Sequence, residues 1–221
     1  MDVVFYGASG HSVSWRDSAE VFWRPNPLAS IIAYIDDFRG GLGESIEGVP
    51  IISFETWRCS LRDCPVFLSQ GDPQVKRTLA GRISAAGGRF PSFYERNAPA
   101  ACRGTVGEGS ILAALVSIGP LTVIGRHVQV MPLASIDACC TVGDYVSICP
   151  SSTIFGRVVI EEGVYVGAGA RIVNHADEPL TVGAGAVIAA GAVLTRSTLP
   201  GEKLAGNPAT DLRTLAAKRA T

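Results

Sequence analysis

Three histidines are the side chains of this 221-residue chain whose ordinary pKa lies nearest to neutral pH. A histidine that a carboxylate orients can take a proton from an amine or a hydroxyl, and so act as a general base. His175 has Asp177 and Glu178 close to it in sequence, and either carboxylate could raise its basicity; alternatively, this loop only shapes a surface. His127 is expected to be a solvated turn residue, and His11 ends a glycine turn.

Asp137 and the two cysteines that follow it are a second group with chemical potential. An exposed aspartate with its usual pKa of about 3.9 is a poor base, so Asp137 would accept a proton or orient a bound molecule. Cys139 is predicted to face outward and Cys140 inward, and no base that would activate either thiol is evident. The chain has six cysteines and no Cys-x-x-Cys pair, which predicts reduced thiols and no metal site.

A ladder of aliphatic residues spaced six apart must position these side chains. Its rungs are Val106, Leu112, Ile118, Ile124, Val130, Ile136, Val142, Ile148, Ile154, Ile160, Val166 and Ile172, and after a ten-residue step Val182, Ile188 and Leu194. No ordinary helix or alternating strand has this period. The ladder predicts a coil with three flat faces, in which each rung stacks on the rung eighteen residues earlier and the stack forms the core.

Each rung has two characteristic neighbours. The residue two positions before a rung is usually small and is expected to point inward, as at Ser110, Thr122, Ala134, Cys140, Ser152, Ala170, Ala186 and Ala192. The residue directly after many rungs is a glycine, where the chain is expected to turn a corner with a positive φ: Gly107, Gly119, Gly125, Gly143, Gly167 and Gly183. The longer step after Ile172 predicts that residues 174–179 bulge out of the coil.

The first part of the chain has a different pattern, in which short apolar segments alternate with turns and a helix. Strands are predicted over 3–6, 31–35, 49–52 and 65–68, and a helix over 72–86 with Val75, Leu79 and Ile83 on one face. This alternation predicts a small α/β lobe with a parallel sheet. We therefore expect an α/β substrate-binding lobe over 1–95, a β-helix over 96–200 and a tail over 201–221.

The glycine turn after the first strand and the acidic residues after the second lie at the carboxyl edge of such a sheet, where nucleotides bind. The predicted substrate-binding residues at this edge are Gly7, Ser9, Gly10, His11, Asp36 and Asp37. The turn lacks the third glycine of the dinucleotide fingerprint, so a purely structural turn is the alternative. Trp15 and Trp23 could stack on a sugar or base face, or belong to the core.

Charge and hydropathy exclude several classes of partner. A formal net charge of −1 provides no basic field for nucleic acid or for an acidic membrane surface. The hydrophobic content is 47%, yet no apolar run reaches the roughly 18 residues of a membrane-spanning helix. The start of the chain lacks the basic residues of a secretory signal, so we expect a cytoplasmic protein.

Several motifs occur together and in order, and their combination is specific. They are Gly-x-x-Gly-His at 7–11, Ile-Asp-Asp at 35–37, Gly-Val-Pro-Ile at 48–51, the ladder, and Ala-Gly-Asn-Pro-Ala at 205–209. Over nearly its whole length the chain resembles the hexapeptide-repeat sugar O- and N-acyltransferases, typified by sialic acid O-acetyltransferases and bacillosamine-pathway acetyltransferases.

The resemblance implies a fold, an activity and an assembly. The fold would be an α/β nucleotide-binding-like lobe joined to a left-handed parallel β-helix. The protein would be a homotrimer that transfers an acyl group from acetyl-CoA, or another acyl-CoA, to an amino group or hydroxyl of a sugar, nucleotide sugar or related metabolite. Residues implied at the CoA site are Gly143, Gly167, Ala168, Gly185, Ala190, Lys203, Gly206 and Asn207, although small residues also suit β-helix packing.

The chain departs from these relatives at one β-helix corner, where they carry a histidine in a pattern like Asp-His-x-Cys-x-Ile-Gly. Residues 137–143 read Asp-Ala-Cys-Cys-Thr-Val-Gly, so Ala138 stands in place of the expected base. His175 lies 36 residues after Cys139 on the same edge of the coil, two coils and roughly 10 Å further along the axis.

His175 and Asp137 are therefore the catalytic candidates. A catalytically silent protein that binds a ligand or partner is the alternative. A hydrolyase of the γ-carbonic-anhydrase kind would need three zinc-ligating histidines on the β-helix, and His11 lies outside it.

Overall fold

The computed structural model describes residues 2–10, 12–13, 30–94, 104–175 and 178–211. These residues form an α/β lobe followed by a parallel β-helix, as the two sequence patterns predict. The expectations for His11, Trp15, Trp23 and Asp177 fall outside the described residues.

The lobe contains one sheet of five strands in the order β3-β4-β2-β1-β5. The strands are β1 (Asp2–Tyr6), β2 (Ser30–Ile35), β3 (Ser45–Ile46), β4 (Val49–Ile52) and β5 (Val66–Leu68). All neighbours pair in parallel except β3 and β4, which form an antiparallel hairpin at the edge. A short helix, α1 (Phe54–Thr56), and a π-helical turn (Trp57–Leu61) connect β4 to β5.

Helix α2 (Pro73–Ala85) follows β5 and confirms the predicted helix, but the predicted buried face is partly wrong. The Asp72 side chain caps its first turn by accepting the N–H groups of Gln74 and Val75. The buried residues are Lys76, Leu79, Ala80 and Ile83. Val75 is instead 43% exposed, because the neighbouring Lys76 takes the inward position and carries its amine to the β-helix.

The β-helix has three sheets, one for each face of the coil. Sheet 1 contains β7 (Thr105–Val106), β10 (Val123–Ile124), β13 (Thr141–Val142), β16 (Val158–Ile160) and β19 (Leu180–Val182). Sheet 2 contains β6 (Phe93–Tyr94), β8 (Ile111–Leu112), β11 (Gln129–Val130), β14 (Ser147–Ile148), β17 (Tyr165–Val166), β20 (Val187–Ile188), β22 (Lys203–Ala205) and β23 (Thr210–Asp211). Sheet 3 contains β9 (Ser117–Ile118), β12 (Ser135–Ile136), β15 (Thr153–Ile154), β18 (Arg171–Ile172) and β21 (Val193–Leu194).

The register between coils confirms the ladder. Ile124 pairs with Val142, and Val142 with Ile160, so rungs eighteen residues apart stack in parallel. Ile160 pairs with Val182, which places the four additional residues in the loop after β18, as predicted. Apart from Val106, the rungs are buried, and so are the small inward residues two positions before them. These rows of side chains form one continuous core.

The corners of the coil correct the expected role of glycine. Positive φ occurs three residues after a rung, at Leu115, Leu121, His127, Leu133, Cys139, Tyr145, Ser151 and Arg157 and at several glycines. The glycines directly after the rungs do not have a positive φ. A Cβ on Gly119 would instead lie under 3.0 Å from the backbone of Asp137 and Ala138 in the next coil. Glycine is therefore required there by the close stacking of coils.

Among the described residues, Cys59, Cys64, Cys139, Cys140 and Cys149 are free thiols. Cys139 is exposed and Cys140 is buried, as the register predicts. In the part of the chain that the structure describes, no helix is long and apolar enough to cross a membrane.

Candidate functional site

The glycine turn of the lobe packs against the segment that follows β5. Gly7 has a φ of 114°, and a Cβ there would lie under 3.0 Å from the side chains of Ser69 and Gln70. The N–H of Gly7 donates to the carbonyl of Ile35 at 2.8 Å, and the N–H of Ser69 to the carbonyl of Tyr6 at 3.2 Å. The carboxyl ends of β1, β2 and β5 thus meet at one edge, as predicted.

Serine hydroxyls organise this edge, and sequence reasoning missed two of them. The buried Ser12 hydroxyl donates to the carbonyl of Gly7 at 2.5 Å and accepts the N–H of Ser9 at 3.0 Å. It also lies 3.3 Å from the hydroxyl of Ser69. The two missed residues are Ser12 and Ser69. The spacing of Ser9 and Ser12 is that of a helix N-terminus, which is the signal that could have identified Ser12.

The two predicted aspartates have different settings. One carboxylate oxygen of Asp36 accepts the N–H groups of Phe38 and Arg39 at 2.9 and 3.0 Å, which closes the turn after β2. Asp37 accepts the Tyr6 hydroxyl at 2.8 Å and pairs with Arg82 at 2.7 Å. Asp36 therefore lies at the edge beside the glycine turn, whereas Asp37 belongs to an ion pair on the α2 side of the sheet.

Arg39 is a further edge residue that the sequence did not single out. Its guanidinium donates to the carbonyl of Ala8 at 2.9 Å and pairs with Glu44 at 2.6 Å. A guanidinium beside a glycine turn can contact an anionic group of a bound molecule.

The lobe edge is attached to sheet 2 of the β-helix. Gln129 donates from its amide to the carbonyl of Leu68 at 2.8 Å, and the hydroxyl of Ser147 donates to the carbonyl of Gly71 at 2.6 Å. A cavity of about 580 Å³ lies beside this junction and is lined by α2 and the coil, including Arg77, Glu162 and Tyr165. The Cys149 sulfur lies 3.1 Å from the Tyr165 hydroxyl, and this hydrogen bond, followed by burial of the hydroxyl, raises the pKa of Tyr165 to about 12.

The corner between sheets 3 and 1 contains Asp137 and Ala138. One carboxylate oxygen of Asp137 accepts the N–H of Ala138 at 2.7 Å, and the carbonyl of Ala138 accepts the N–H of Arg157 in the next coil at 3.1 Å. Asp137 also lines a cavity of about 220 Å³ on the outer surface of sheet 3, together with Ser135 and Phe155. The corner thus has a carboxylate and an adjacent open space.

His175 lies on the same corner, further along the coil. Asn174 donates to the carbonyls of Arg157 and Glu178 at 3.3 and 3.2 Å, which holds the loop against the preceding coil. His175 is exposed and lines a separate cavity of about 360 Å³ with Glu178 and Arg196. Within the chain, the structure therefore places His175 and Asp137 in different cavities.

The expectation that His127 is a solvated turn residue is wrong. His127 is 4% exposed, and its ring stacks on Tyr145 with centroids 5.2 Å apart. The Phe90 ring, which is perpendicular to the His127 ring with centroids 4.6 Å apart, completes the enclosure. Desolvation, followed by the positive charge of Lys76, lowers the pKa of His127 to about 4. The ladder correctly places His127 at a corner of the coil, but the lobe covers this corner and so excludes solvent from the ring.

His127 should make the protein acid-sensitive. Because its folded pKa of about 4 lies below the ordinary 6.5, the unfolded state binds more protons between these values. This contribution to stability is complete above pH 6.5 and is lost as the pH falls towards 4. His127→Phe keeps an aromatic ring and should flatten this dependence in urea unfolding; an unchanged acid dependence would contradict the assignment.

The residues implied at the CoA site lie in two columns. Gly143 and Gly185 belong to the corner between sheets 1 and 2, beside the lobe. Gly167, Ala168 and Ala190 line the corner between sheets 2 and 3, and Gly206 continues this column by accepting the N–H of Val193 at 2.9 Å. Lys203 begins strand β22, and Asn207 follows that strand.

Coil stacking also explains two of these glycines without any ligand. A Cβ on Gly143 would lie under 3.0 Å from the backbone of Glu161 and Glu162. A Cβ on Gly167 would similarly meet the backbone of Ala189 and Ala190. The identity of these residues therefore reflects coil packing, whichever molecule binds outside.

Residues 121–156 match the family model of the bacterial transferase hexapeptide, which contains six repeats. This part of the coil is similar to the bacterial transferase hexapeptide. A curated relative, the GDP-perosamine N-acetyltransferase of Escherichia coli O157:H7, is 38% identical over 111 residues, or 49% of each protein. The similarity thus spans about half the length of that relative.

Solved structures extend the likeness to the lobe. The acetyltransferase domain of PglB from Neisseria gonorrhoeae FA1090 is 25% identical with a TM-score of 0.81, over 95% of this chain and 98% of that chain. WeeI from Acinetobacter baumannii AYE is 27% identical with a TM-score of 0.82, over 96% of this chain and 100% of that chain.

A second structure of the PglB domain contains acetyl coenzyme A, and is 26% identical with a TM-score of 0.81 over 95% of this chain and 98% of that chain. The predicted fold, an α/β lobe with a left-handed parallel β-helix, is confirmed, and so is the resemblance to hexapeptide-repeat sugar acyltransferases.

Proposed function

We propose that this protein transfers an acyl group, most simply acetyl, from acyl-CoA to an amino group or hydroxyl of a sugar or nucleotide sugar. The observation that carries the proposal is the match of both lobe and β-helix to the PglB acetyltransferase domain, which binds acetyl coenzyme A. The curated relative, a nucleotide-sugar N-acetyltransferase, supports the same class of acceptor.

The proposed acceptor site is the carboxyl edge of the lobe. Gly7, Ser9, Gly10 and His11 would contact the acceptor from the turn after β1, and Asp36 and Asp37 from the turn after β2. The acyl-CoA would lie along the small residues of the coil, including Gly143, Gly167, Ala168, Gly185 and Ala190, with Lys203, Gly206 and Asn207 near its nucleotide. Hydrogen bonds from Gln129 and Ser147 to the lobe support the proximity of the two sites.

In the proposed reaction, the amine or hydroxyl of the acceptor attacks the thioester carbonyl and loses a proton to a base. The tetrahedral intermediate then collapses, the carbon–sulfur bond breaks, and the CoA thiolate takes a proton. His175, with Glu178 in the same cavity, is the proposed base. Because Asp137 lines a different cavity of the same chain, we propose that it orients the acceptor from the Ala138 corner of a neighbouring copy in the trimer proposed below.

Release of CoA from acetyl-CoA, measured with a panel of amino sugars and nucleotide sugars, tests the function. We expect turnover by the unaltered protein and a loss of about 10²-fold or more in His175→Ala, because a general base contributes that much. Thr195→Ala, which lines the same cavity, is the matched control. Full activity in His175→Ala would exclude this base, and Ala138→His tests whether a base at that corner increases the rate.

Absence of turnover across the panel, despite measurable binding of CoA, would contradict enzymatic function and favour a ligand-binding protein.

The proposed setting is the cytoplasm, where acyl-CoA is available and thiols stay reduced. The free thiols of the described cysteines support it.

We further propose that three copies of the chain associate through their β-helices. Large apolar side chains are exposed on the sides of the coil that the lobe does not cover: Leu115, Leu121, Val123, Leu133 and Phe155. Such a concentration of exposed apolar residues is typical of a protein–protein interface.

Leu121→Asp should convert the trimer to monomers in light scattering. Leu121 is 58% exposed and has a φ of 62°, a backbone conformation in which aspartate is tolerated, so the coil itself should remain folded. Phe38→Asp is the control, because Phe38 is 92% exposed but lies on the lobe. A trimer that persists in Leu121→Asp would exclude this corner from the interface.

A further inference from the structure

A buried lysine joins the lobe to the β-helix. Lys76 is 1% exposed, and its ammonium donates to the carbonyls of His127 and Val146 at 3.1 and 3.0 Å. Both carbonyls belong to the corner between sheets 1 and 2. Burying a charge is costly unless hydrogen bonds compensate for the lost water, so a lysine on a helix normally extends its amine into solvent. We therefore expect the role of Lys76 to be the hydrogen bonds that its amine donates to these two carbonyls.

The next residue of α2 contacts the same corner. The guanidinium of Arg77 lies 5.3 Å from the ring centroid of Tyr145 and pairs with Glu162 at 2.5 Å. Tyr145 in turn stacks on His127. We call Lys76, Arg77 and the corner residues His127, Tyr145 and Glu162 the corner clamp. It combines hydrogen bonds, a cation–π contact and an ion pair between one helix and three successive coils.

The corner clamp acts on the lobe edge through a short connection. Residues 68–71 precede Asp72, which caps helix α2, and this segment contacts the glycine turn through Ser69 and Gln70. Gln129 and Ser147 hold the two ends of the same segment, through the carbonyls of Leu68 and Gly71. The position of the edge relative to the coil is thus set by Lys76 and Arg77 on one side and by these two hydrogen bonds on the other.

We propose that Lys76 is a positioning residue that fixes the lobe edge against the β-helix, so that a bound acceptor is held at the distance from acyl-CoA that transfer requires. This inference rests on the proposed function for its catalytic consequence. Its structural part, a lobe held rigid by the Lys76 donors, is independent of any activity. Small errors in the position of a reacting group cost rate, and a fixed edge avoids them.

Hydrogen exchange and steady-state kinetics on three variants test the proposal. Lys76→Met keeps the length of the side chain and removes its donors, Lys76→Gln keeps an amide donor, and Thr78→Met changes an exposed residue of the same helix as a control. In Lys76→Met we expect the amides of β1, β2 and β5 to exchange about 10-fold faster, while those of β14 to β18 are unchanged. Lys76→Gln should recover part of the protection.

The kinetic expectation separates positioning from general stability. In Lys76→Met, the KM for the acceptor should rise about 10-fold while the KM for acyl-CoA stays within about twofold. If exchange and the acceptor KM both stay within about twofold of the unaltered protein, or if exchange alone changes, the positioning role is wrong. If no variant releases CoA, the proposed function fails, and the exchange experiment still decides whether Lys76 holds the lobe.

Discussion

Gly119→Ala should lower the unfolding temperature far more than glycine-to-alanine changes at the corner positions of the coil that have a positive φ. The new Cβ would lie under 3.0 Å from the backbone of Asp137 and Ala138, so one of the two coils must move. Forcing an extra carbon into a packed interior costs about 3 kcal/mol. For a chain of this size, that corresponds to a fall in melting temperature of roughly 6–12 °C, which calorimetry can measure.

The matched control is Gly169→Ala, at the other type of corner glycine. Gly169 has a φ of 67° and no atom within 4 Å of the position that a Cβ would take. Only the left-handed backbone penalises alanine there, at about 1 kcal/mol. Equal shifts for Gly119→Ala and Gly169→Ala would contradict the conclusion that close coil stacking, rather than φ, selects glycine directly after the rungs.

The contribution of Lys76 to the free energy of unfolding should increase with pH. Desolvation lowers the pKa of Lys76 from 10.5 to about 7, partly offset by the charge on Asp72 and by the Cys149 thiol. Between these values the unfolded state binds more protons than the folded state, so stability rises with pH across this window. Below pH 7 the Lys76 amine is charged in both the folded and the unfolded state, so the folded state bears the full free-energy cost of burying the charge.

The size of this effect follows from the same pKa difference. About 3.5 pH units at about 1.4 kcal/mol each give about 5 kcal/mol between the two limits. The measurement is the difference in urea unfolding free energy between the unaltered protein and Lys76→Met, at about pH 6, 8 and 10. The subtraction removes other groups such as Cys140, whose thiol pKa burial raises. A difference that does not vary with pH would show that Lys76 is not desolvated.

The fold was predictable because its main signal is periodic. Rungs such as Ile136 and Ile154 recur at a spacing that only a three-sided coil satisfies, and the structure pairs them directly. The inward residues follow from the same register. The carboxyl edge of the lobe was predictable from connectivity alone, because parallel strands must end on one side.

What sequence reasoning missed depends on contacts between parts that are distant in the chain. The six-residue period assigns His127 to a corner of the coil. It does not reveal that Phe90 of the lobe and Tyr145 of the next coil enclose the His127 ring. An amphipathic pattern favours Val75 over Lys76 for burial, because polarity is the only information available in one helix. The carbonyls of His127 and Val146, which make a buried ammonium tolerable, lie more than fifty residues away.

The third residue after each rung has an implication for how such proteins diversify. Leucine, tyrosine, cysteine, serine and arginine all occupy this left-handed position in successive coils, without a change in the path of the backbone. Folding information lies in the inward rows and in the glycines directly after the rungs, and the left-handed corner position is separate from it. A corner can therefore lose one reactive group and acquire another by single substitutions, each on an already folded scaffold. In such a solenoid, the location of the chemistry can move along the axis over evolutionary time while the architecture stays constant.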